Sequence, residues 1–215
     1  MKLPSFIRHF AAATLLGGCS VERIKGDGNI TTDDRPLSEI TSVQAAGAYS
    51  IEWSSGPPLL TITTDGNLLP HILTKVSGTT LKISSDTPIS PTKGIKIVVT
   101  SPTIDQVDLS GAVQFTAAQV SGAAFSITAA GASTIELEGS VTSLAASLTG
   151  ASHLKAGALK AKSATVTLVG ASSGDVAVEE SLNATITGAG ALTYSGDPKS
   201  VEQQVTGAGS IHRRQ

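Results

Sequence analysis

The sequence is poor in aromatic side chains and in charge of either sign. Phe, Trp and Tyr make up 3% of the 215 residues, although hydrophobic residues reach 40%. A core of Ala, Val, Ile and Leu suits thin, regularly stacked layers better than a bulky globular interior. The formal net charge is −2, and no basic stripe runs along the chain. Because contact with phosphates needs a basic surface, nucleic acid is excluded as a partner.

The chain also lacks the residue sets that usually carry a cofactor or a reaction. It has one cysteine, so an internal disulfide is excluded. His71, His153 and His212 are scattered without the spacing of zinc ligands. No G-x-S-x-G nucleophile motif occurs, and "GDGN" and "TDGN" are turn sequences rather than phosphate loops. We therefore expect no metal and no cofactor.

The N-terminus carries the features of an export signal. Lys2 and Arg8 precede an apolar run, and the only cysteine, Cys19, follows Leu16, Gly17 and Gly18. This order resembles the bacterial lipobox, which predicts a signal peptide over residues 1–18, a lipid-modified Cys19 and a tether over residues 19–28. Ser20 resembles the outer-membrane default of Gram-negative lipoproteins. The alternative is ordinary cleavage near Gly18, which would leave a free thiol.

The second half of the chain repeats with a nearly constant period. Six Gly-Ala pairs recur at close to fixed intervals, and a period of about nineteen residues is typical of stacked repeats. Apolar residues stand two, four and six positions before most of these glycines, so each repeat predicts a short strand. Asp105 and Gln203 are polar at such inward positions, and we assign both to end coils. The glycines are Gly111, Gly131, Gly150, Gly170, Gly188 and Gly207.

Further apolar positions after each glycine predict two more short strands in the same repeat. Three strands and three corners in each repeat predict an all-β protein built as a single-stranded parallel β-helix, or β-solenoid. Glycine suits such a corner because it tolerates positive φ and close backbone approach. The regular coils should span residues 101–211. Residues 37–104 read as broader first turns that cover one end, with a short helical turn in "NLLPHILTKV", so residues 29–215 form one domain.

These stretches together resemble one known family. "GDGNITTDDRPLSEITSVQAAGAYSIEW", "DGNLLPHILTKVSGTTLKIS", the glycine repeats and "YSGDPKSVEQQVTGAGSI" are similar to the auto-transporter adhesin, head GIN domain proteins of bacterial envelopes. The resemblance implies a right-handed β-helix located in the cell envelope. It implies no reaction, because the family is without an assigned biochemical function.

Some parallel β-helices act on polysaccharides, so the carboxylates need attention. Thr116, Glu136, Lys155, Asp175 and Thr193 should stack in one outward column, which predicts a ladder of surface charges. Glu136 and Glu138 share a strand face, and two convergent acids are what glycoside hydrolysis needs. A polysaccharide lyase or hydrolase that uses Glu136 and Glu138 is therefore the alternative hypothesis.

The outward positions just before each corner favour binding over catalysis. There the repeats place small hydroxyl side chains, which stack into a flat face. Threonine is also simply a good exposed strand residue. We expect a non-enzymatic envelope lipoprotein, anchored in the membrane through lipid on Cys19, whose rigid surface serves adhesion, scaffolding or contact with a glycan or protein. The candidate binding face consists of Ser126, Thr128, Ser147, Thr149, Thr165, Thr167, Thr185 and Thr187.

Overall fold

The computed structural model describes residues 22–214, and these form an almost entirely β structure. Cys19 and the predicted signal peptide lie outside the described residues. This part of the chain contains a single 3-10 helix, Gly66–His71. The strands are β1 (Ile24–Lys25), β2 (Ile30–Pro36), β3 (Ser42–Gly47), β4 (Ser50–Ser55), β5 (Leu59–Asp65), β6 (Ile72–Ser77), β7 (Thr80–Ser85), β8 (Ile89–Ser90), β9 (Lys96–Ser101), β10 (Gln106–Gly111), β11 (Gln114–Gly131), β12 (Thr134–Gly150), β13 (His153–Gly170), β14 (Ser173–Gly188), β15 (Ala191–Ser195), β16 (Ser200–Gly207) and β17 (Ser210–Arg213).

The repeat forms stacked coils with three faces. Face A holds the strand segments that end at the corner glycines, and face B holds the segments that follow them. Face C closes each coil between faces B and A. Every coil pairs in parallel with the next, and the six glycines align in register from Gly111 to Gly207. The predicted β-solenoid is therefore confirmed.

The corner glycines are fixed by both backbone conformation and space. Gly188 has φ +114, a conformation that L side chains rarely adopt. A Cβ on Gly188 would lie 2.6 Å from the carbonyl oxygen of Gly170 in the coil below. That carbonyl accepts the backbone N–H of Ala189 at 2.8 Å, and the corners at Gly111, Gly131, Gly150 and Gly170 form the same bond. The Gly-Ala phrase is thus a corner that also links adjacent coils.

The stack contains an earlier coil that is separated in sequence from the others. β3 pairs with β10 so that Gly47 lies opposite Gly111, and β4 pairs with the first residues of β11. The chain then leaves the stack and builds a further layer, in which β7 pairs with β3 and β9 pairs with β4. Coil order in space therefore differs from chain order. Asp105 belongs to an internal coil, so its assignment to an end coil was wrong; it is exposed immediately before β10, while Ile104 beside it is buried.

The capped end of the solenoid consists of antiparallel strands. β6 runs antiparallel to β7, β5 runs antiparallel to β9, and β2 pairs antiparallel with β5. The 3-10 helix crosses between the two faces and buries Leu68 completely. The predicted helical turn is confirmed. Asp33 and Asp34 lie within β2.

Two polar side chains fasten this cap. The Arg35 guanidinium donates to the carbonyl oxygens of Ile72 (2.7 Å) and Leu69 (3.0 Å). The buried Asp65 carboxylate accepts the N–H groups of Gly28 (2.8 Å) and Thr92 (2.9 Å) and the Thr92 hydroxyl (2.7 Å). Burial alone would raise the pKa of Asp65, but these hydrogen bonds outweigh it and lower the pKa.

The core is one continuous column of inward side chains. It runs from Ile40 and Trp53 near the cap to Leu192 and Tyr194 near the other end. Most of its few aromatic residues lie in the earlier coils, where Phe115 and Phe125 are fully buried. Later coils rely mainly on Ala, Val, Leu and Ile, as the composition predicted.

The open end is formed by β16 and β17. β16 pairs with β14 along one edge only, and every one of its residues is exposed. Val201 and Val205 continue the inward columns of Leu182 and Ile186, yet they are 37% and 42% exposed. Within residues 22–214 no coil covers them. Gln203 shares this end, in agreement with its assignment to an end coil.

Candidate functional site

The predicted hydroxyl face is assembled on face A of four consecutive coils. The strand registers align Thr128, Ser147, Thr167 and Thr185 in one central column. Ser126 and Thr165 lie in the column on one side, together with Ala145 and Asn183. Thr149 and Thr187 lie on the other side, together with Ala130 and Val169. The structure therefore brings all eight predicted residues onto one surface.

This surface carries no charged side chain across its four coils. Asp108 and Glu202 mark its two borders along the stack, since they occupy the coils immediately before and after it. Glu202 lies beside Asn183, whose amide donates to it at 3.3 Å. The twelve outward positions of the three columns therefore form a neutral surface of hydroxyl, methyl and amide groups, which we call the hydroxyl patch.

The hydroxyl patch is flat and rigid because of how its strands are paired. Each of the four segments has a parallel partner on both sides. Neighbouring coils are ~4.8 Å apart, and alternate residues of a strand are ~6.6 Å apart. The hydroxyl groups therefore lie on a regular grid, and a ligand would meet them without ordering a loop.

Face B carries the charges that this part of face A lacks. Glu136, Lys155 and Asp175 stack in register as predicted. Lys155 pairs with Glu136 at 3.7 Å, while Asp175 binds Arg214 at 2.9 Å. The predicted column of charges is thus present, and Arg214, which lies outside the column, also pairs with one of its members, Asp175.

A shallow groove follows the border between faces B and C. The coil ending at Gly188 is shorter than its neighbour, and residues 157–159 have no counterpart in β14. The missing residues leave a recess of ≈ 340 Å³ beside Gly157 and Val178, which adjoins a polar recess of ≈ 230 Å³. The polar recess is lined by Glu136, Glu138, Lys155, Asp175 and Arg214, together with Leu137, Gly157 and Ala158.

The polar recess is a weak candidate for catalysis. Its volume lies below the range in which ligand pockets are usually found. Two of its three carboxylates, those of Glu136 and Asp175, are engaged with cations. One oxygen of Asp175, Oδ1, is buried and has no hydrogen-bond partner among residues 22–214. The recess therefore offers one unsatisfied acceptor rather than two acids that face a common bond.

The histidines do not converge. His71 contacts Asp86 at 3.1 Å near the cap, and His153 contacts the Ser173 hydroxyl at 2.6 Å on face B. His212 is exposed in β17. Among the described residues, no group of three His, Cys, Asp or Glu side chains could hold a metal ion. No helix within that part of the chain is long and apolar enough to cross a membrane.

The sequence prediction missed one feature of the corners. Ser133, Ser152 and Ser172, each two residues after a corner glycine, are fully buried and occupy equivalent positions in successive coils. Their hydroxyls lie 3.3 Å from glycine carbonyl oxygens in the preceding coil. The signal was the third residue of the phrase "Gly-Ala-Ser", which occurs in three of six repeats. This serine ladder stabilises the corner and leaves the outward surface unchanged.

The fold and the surface define a class of protein. Within residues 22–214, the protein is a β-solenoid that presents a flat neutral face and a shallow charged groove.

The family is shown by comparison with known proteins. The chain belongs to the family described as putative auto-transporter adhesin, head GIN domain, whose model matches residues 39–198. This confirms the resemblance drawn from the glycine repeats and the N-terminal strands. The family description indicates adhesin-like proteins and suggests a surface or extracellular location. It names no reaction.

Solved structures support the same fold. A putative adhesin from Bacteroides fragilis is similar with a TM-score of 0.72 and 20% identity, over 89% of this chain and 100% of that one. A putative adhesin from Parabacteroides merdae gives a TM-score of 0.59 and 18% identity, over 90% and 99% of the two chains. A putative lipid binding protein from Parabacteroides distasonis gives a TM-score of 0.55 and 23% identity, over 90% and 100%. Among curated protein sequences, none matches this chain.

Proposed function

We propose that this protein is a non-enzymatic lipoprotein of the cell envelope, in which the hydroxyl patch of face A makes adhesive contacts with a glycan or protein. The observation that carries the proposal is the uncharged grid over four coils centred on Ser147 and Thr167. Neutral hydroxyls can exchange hydrogen bonds with a neutral polymer without the cost of removing water from charges. The adhesin-like family description supports the same role.

The proposed anchor is lipid on Cys19, at the outer membrane of a Gram-negative cell. β1 begins at Ile24, so few residues separate the anchor from the first strand. Acyl chains on one cysteine would hold the solenoid close to the membrane surface. Substitution Cys19→Ser should move the protein from the membrane fraction to the soluble fraction and abolish labelling by fatty acid. Unchanged fractionation and no label in the parent chain would contradict the anchor.

The binding role is tested by placing bulk and charge on the hydroxyl patch. The double variant Ser147→Arg/Thr167→Arg should reduce binding to isolated envelopes at least about tenfold, because two long cations interrupt the grid. A matched control, Thr116→Arg/Thr193→Arg, places the same charges on face B. Probes should include neutral and acidic glycans, envelope fractions and phospholipid vesicles. Equal losses in the two double variants would show that face A is not the binding surface.

The enzyme alternative rests on the polar recess, where Glu136 and Glu138 lie close to the unsatisfied Oδ1 of Asp175. It predicts cleavage of a polysaccharide that is lost in Glu136→Gln or Glu138→Gln. A panel of acidic and neutral polysaccharides, assayed for new reducing ends and for unsaturated products, tests both hydrolase and lyase chemistry. No product from any member of the panel would reject this alternative.

A further inference from the structure

The outer edge of β16 has the pattern of a strand that pairs with its own copy. In the regular coils, amides of outward residues such as Ser126 and Thr134 donate to the preceding coil, at 2.8 and 2.9 Å. By the same alternation, the N–H groups of Glu202, Gln204 and Thr206 point toward β14. Those of Val201, Gln203 and Val205 then point away from it. The backbone N–H groups on the free edge of β16 therefore belong to three residues whose side chains occupy inward positions.

The sequence of this edge is symmetric about Gln203. Val201 and Val205 lie two residues on either side of it, Glu202 and Gln204 one residue on either side, and Ser200 and Thr206 three residues away. In an antiparallel pair of two such strands, Gln203 lies opposite itself and each valine lies opposite the other valine. Glu202 lies opposite Gln204, so no like charges meet.

We infer that β16 is the interface of a two-fold symmetric dimer, in which the β16 strands of two copies pair antiparallel about Gln203. Val201, Gln203 and Val205, whose N–H groups are free, would then face Val205, Gln203 and Val201 of the other copy, respectively. Each of the three would form a hydrogen-bonded pair across the two-fold axis. Val201 and Val205 of each copy would be covered by Val205 and Val201 of the other. A two-fold axis requires such a self-complementary patch.

Two features favour a second copy over an edge that stays solvated. Strands at sheet edges are normally protected by lysine, proline or inward charges. β2, an edge at the capped end, contains Asp33, Asp34, Arg35 and Pro36. β16 contains one charged residue, the outward-facing Glu202, but no lysine, proline or inward charge, and it exposes two valines that continue the core. The Gln203 side chain can both donate and accept, so its amide can bond to the same group of the partner.

Cysteine cross-linking tests the pairing and its register together. In the full chain carrying Cys19→Ser, so that the introduced cysteine is the only thiol, Gln203→Cys places two cysteines opposite each other. Their Cα atoms would be ~5.5 Å apart, within the range of a disulfide. Mild oxidation should give a covalent dimer.

The matched control is Thr206→Cys on the same exposed strand. In the proposed register, Thr206 lies opposite Ser200, so the two copies of position 206 are separated along the strands by about 20 Å. This variant should stay uncross-linked. Equal cross-linking at positions 203 and 206 would overturn the proposal, because random collision or another interface would then explain the disulfide.

Association is measured independently by sedimentation. Val201→Lys should raise the dissociation constant of the dimer by about thirtyfold or more, since symmetry places the new charge in the interface twice. Ile30→Lys is the matched control, because Ile30 is also 37% exposed but lies on β2 at the capped end. It should leave the mass unchanged. A parent chain that remains monomeric at its highest soluble concentration, or a dimer equally stable in both lysine variants, would refute the proposal.

Discussion

The two ends of the solenoid meet the same physical problem with different structures. At the capped end, antiparallel strands and a 3-10 helix cover the last parallel coil and bury Leu68. At the open end, β16 is the last face A strand within residues 22–214, and its inward side chains Val201 and Val205 are exposed. Both ends terminate one continuous core. The capped end therefore completes the fold within the chain, whereas the open end retains a surface shaped for another strand.

The two ends differ in their polar contacts as well as in the burial of apolar side chains. The cap is held by the buried Asp65 carboxylate and by the Arg35 guanidinium, each of which links segments distant in sequence. At the open end, Arg213 bonds Asp197 at 2.9 Å, and this pair is solvent-exposed, since the Asp197 side chain is 91% exposed. Exposed pairs contribute only ~0–1 kcal/mol. The open end should therefore fray more readily than the cap.

The largest effect is expected when a corner glycine is replaced inside the stack. Gly111→Ala requires an L residue at φ +103 and places a methyl group against the Gly47 carbonyl oxygen, with a further coil on the other side. Conformation and overpacking together should cost about 2–5 kcal/mol of unfolding free energy. Gly207→Ala meets the same two obstacles, φ +110 and the carbonyl oxygen of Gly188. Because β16 has a partner strand on one side only, it can shift away from that carbonyl, and the cost should be only about 1–2 kcal/mol.

Urea denaturation of the two alanine variants measures this difference, provided that both keep the slope of the parent chain. Equal losses at the two positions would mean that β16 is held as firmly as the internal coils. The comparison of the two ends would then be wrong.

The next largest loss of stability is expected when an apolar side chain at the capped end is truncated. Leu68→Ala should lower the unfolding free energy by about 2–5 kcal/mol, because loss of a fully buried side chain leaves a cavity under the cap. Val205 at the open end is 42% exposed. In the monomeric chain, at protein concentrations too low for the proposed dimer to form, Val205→Ala should therefore cost less than about 1 kcal/mol. Thermal and urea unfolding of both variants would measure the two losses of unfolding free energy and their ratio. A larger loss in the valine variant would show that the open end is covered in solution.

Most of the coil architecture could be predicted from the sequence because it repeats. Six aligned glycines and alternating apolar residues determine the strand direction, the corner and the outward columns. The same alternation placed Thr128, Ser147, Thr167 and Thr185 on one face, which the strand registers confirm.

The cap could not be predicted in the same way, because its contacts occur once. The stretch "VQAAGAYS" contains the same Gly-Ala phrase at Gly47, but the chain that builds the cap separates it from Gly111 by several repeat lengths. The constant period therefore could not show that these two glycines lie in adjacent coils. The partners of Asp65, Gly28 and Thr92, are likewise distant in sequence and belong to no repeat. Arg214 lies two coils further along the chain than Asp175, to which it donates a hydrogen bond. Because this contact does not recur in the other coils, the repeat pattern could not predict it.

A smaller and pH-dependent effect should separate the two ends. The pKa of Asp65 is lowered in the folded protein, so its contribution to stability is complete above the ordinary value of 3.8 and is lost as the pH falls through the lowered folded value. Asp65→Asn should therefore lower the unfolding free energy at neutral pH. It should also lose less unfolding free energy than the parent chain when the pH is lowered. Asp197→Asn at the open end should alter neither. Urea midpoints across acid and neutral pH would test this, and parallel profiles for all three chains would contradict it.

The smallest effect should come from the buried serine ladder, which runs between the two ends. Ser152→Ala removes a hydroxyl that lies 3.3 Å from the Gly131 carbonyl oxygen and 3.3 Å from the Ser133 amide nitrogen. The Gly131 carbonyl keeps the Ala151 N–H as its donor, and the bond to the Ser133 amide is long and therefore weak. We expect a loss of about 0.5–1.5 kcal/mol, the usual net value of one hydrogen bond.

Ser173→Ala, the neighbouring position on the outward side of face B, is the control for the ladder and should change the urea midpoint little, because its hydroxyl is not part of the buried corner. If Ser152→Ala instead cost more than the expected range while Ser173→Ala did not, the ladder would be a principal source of stability. The solenoid would then be held mainly by contacts repeated along its length, and it would depend less on its cap than the comparison of the two ends implies.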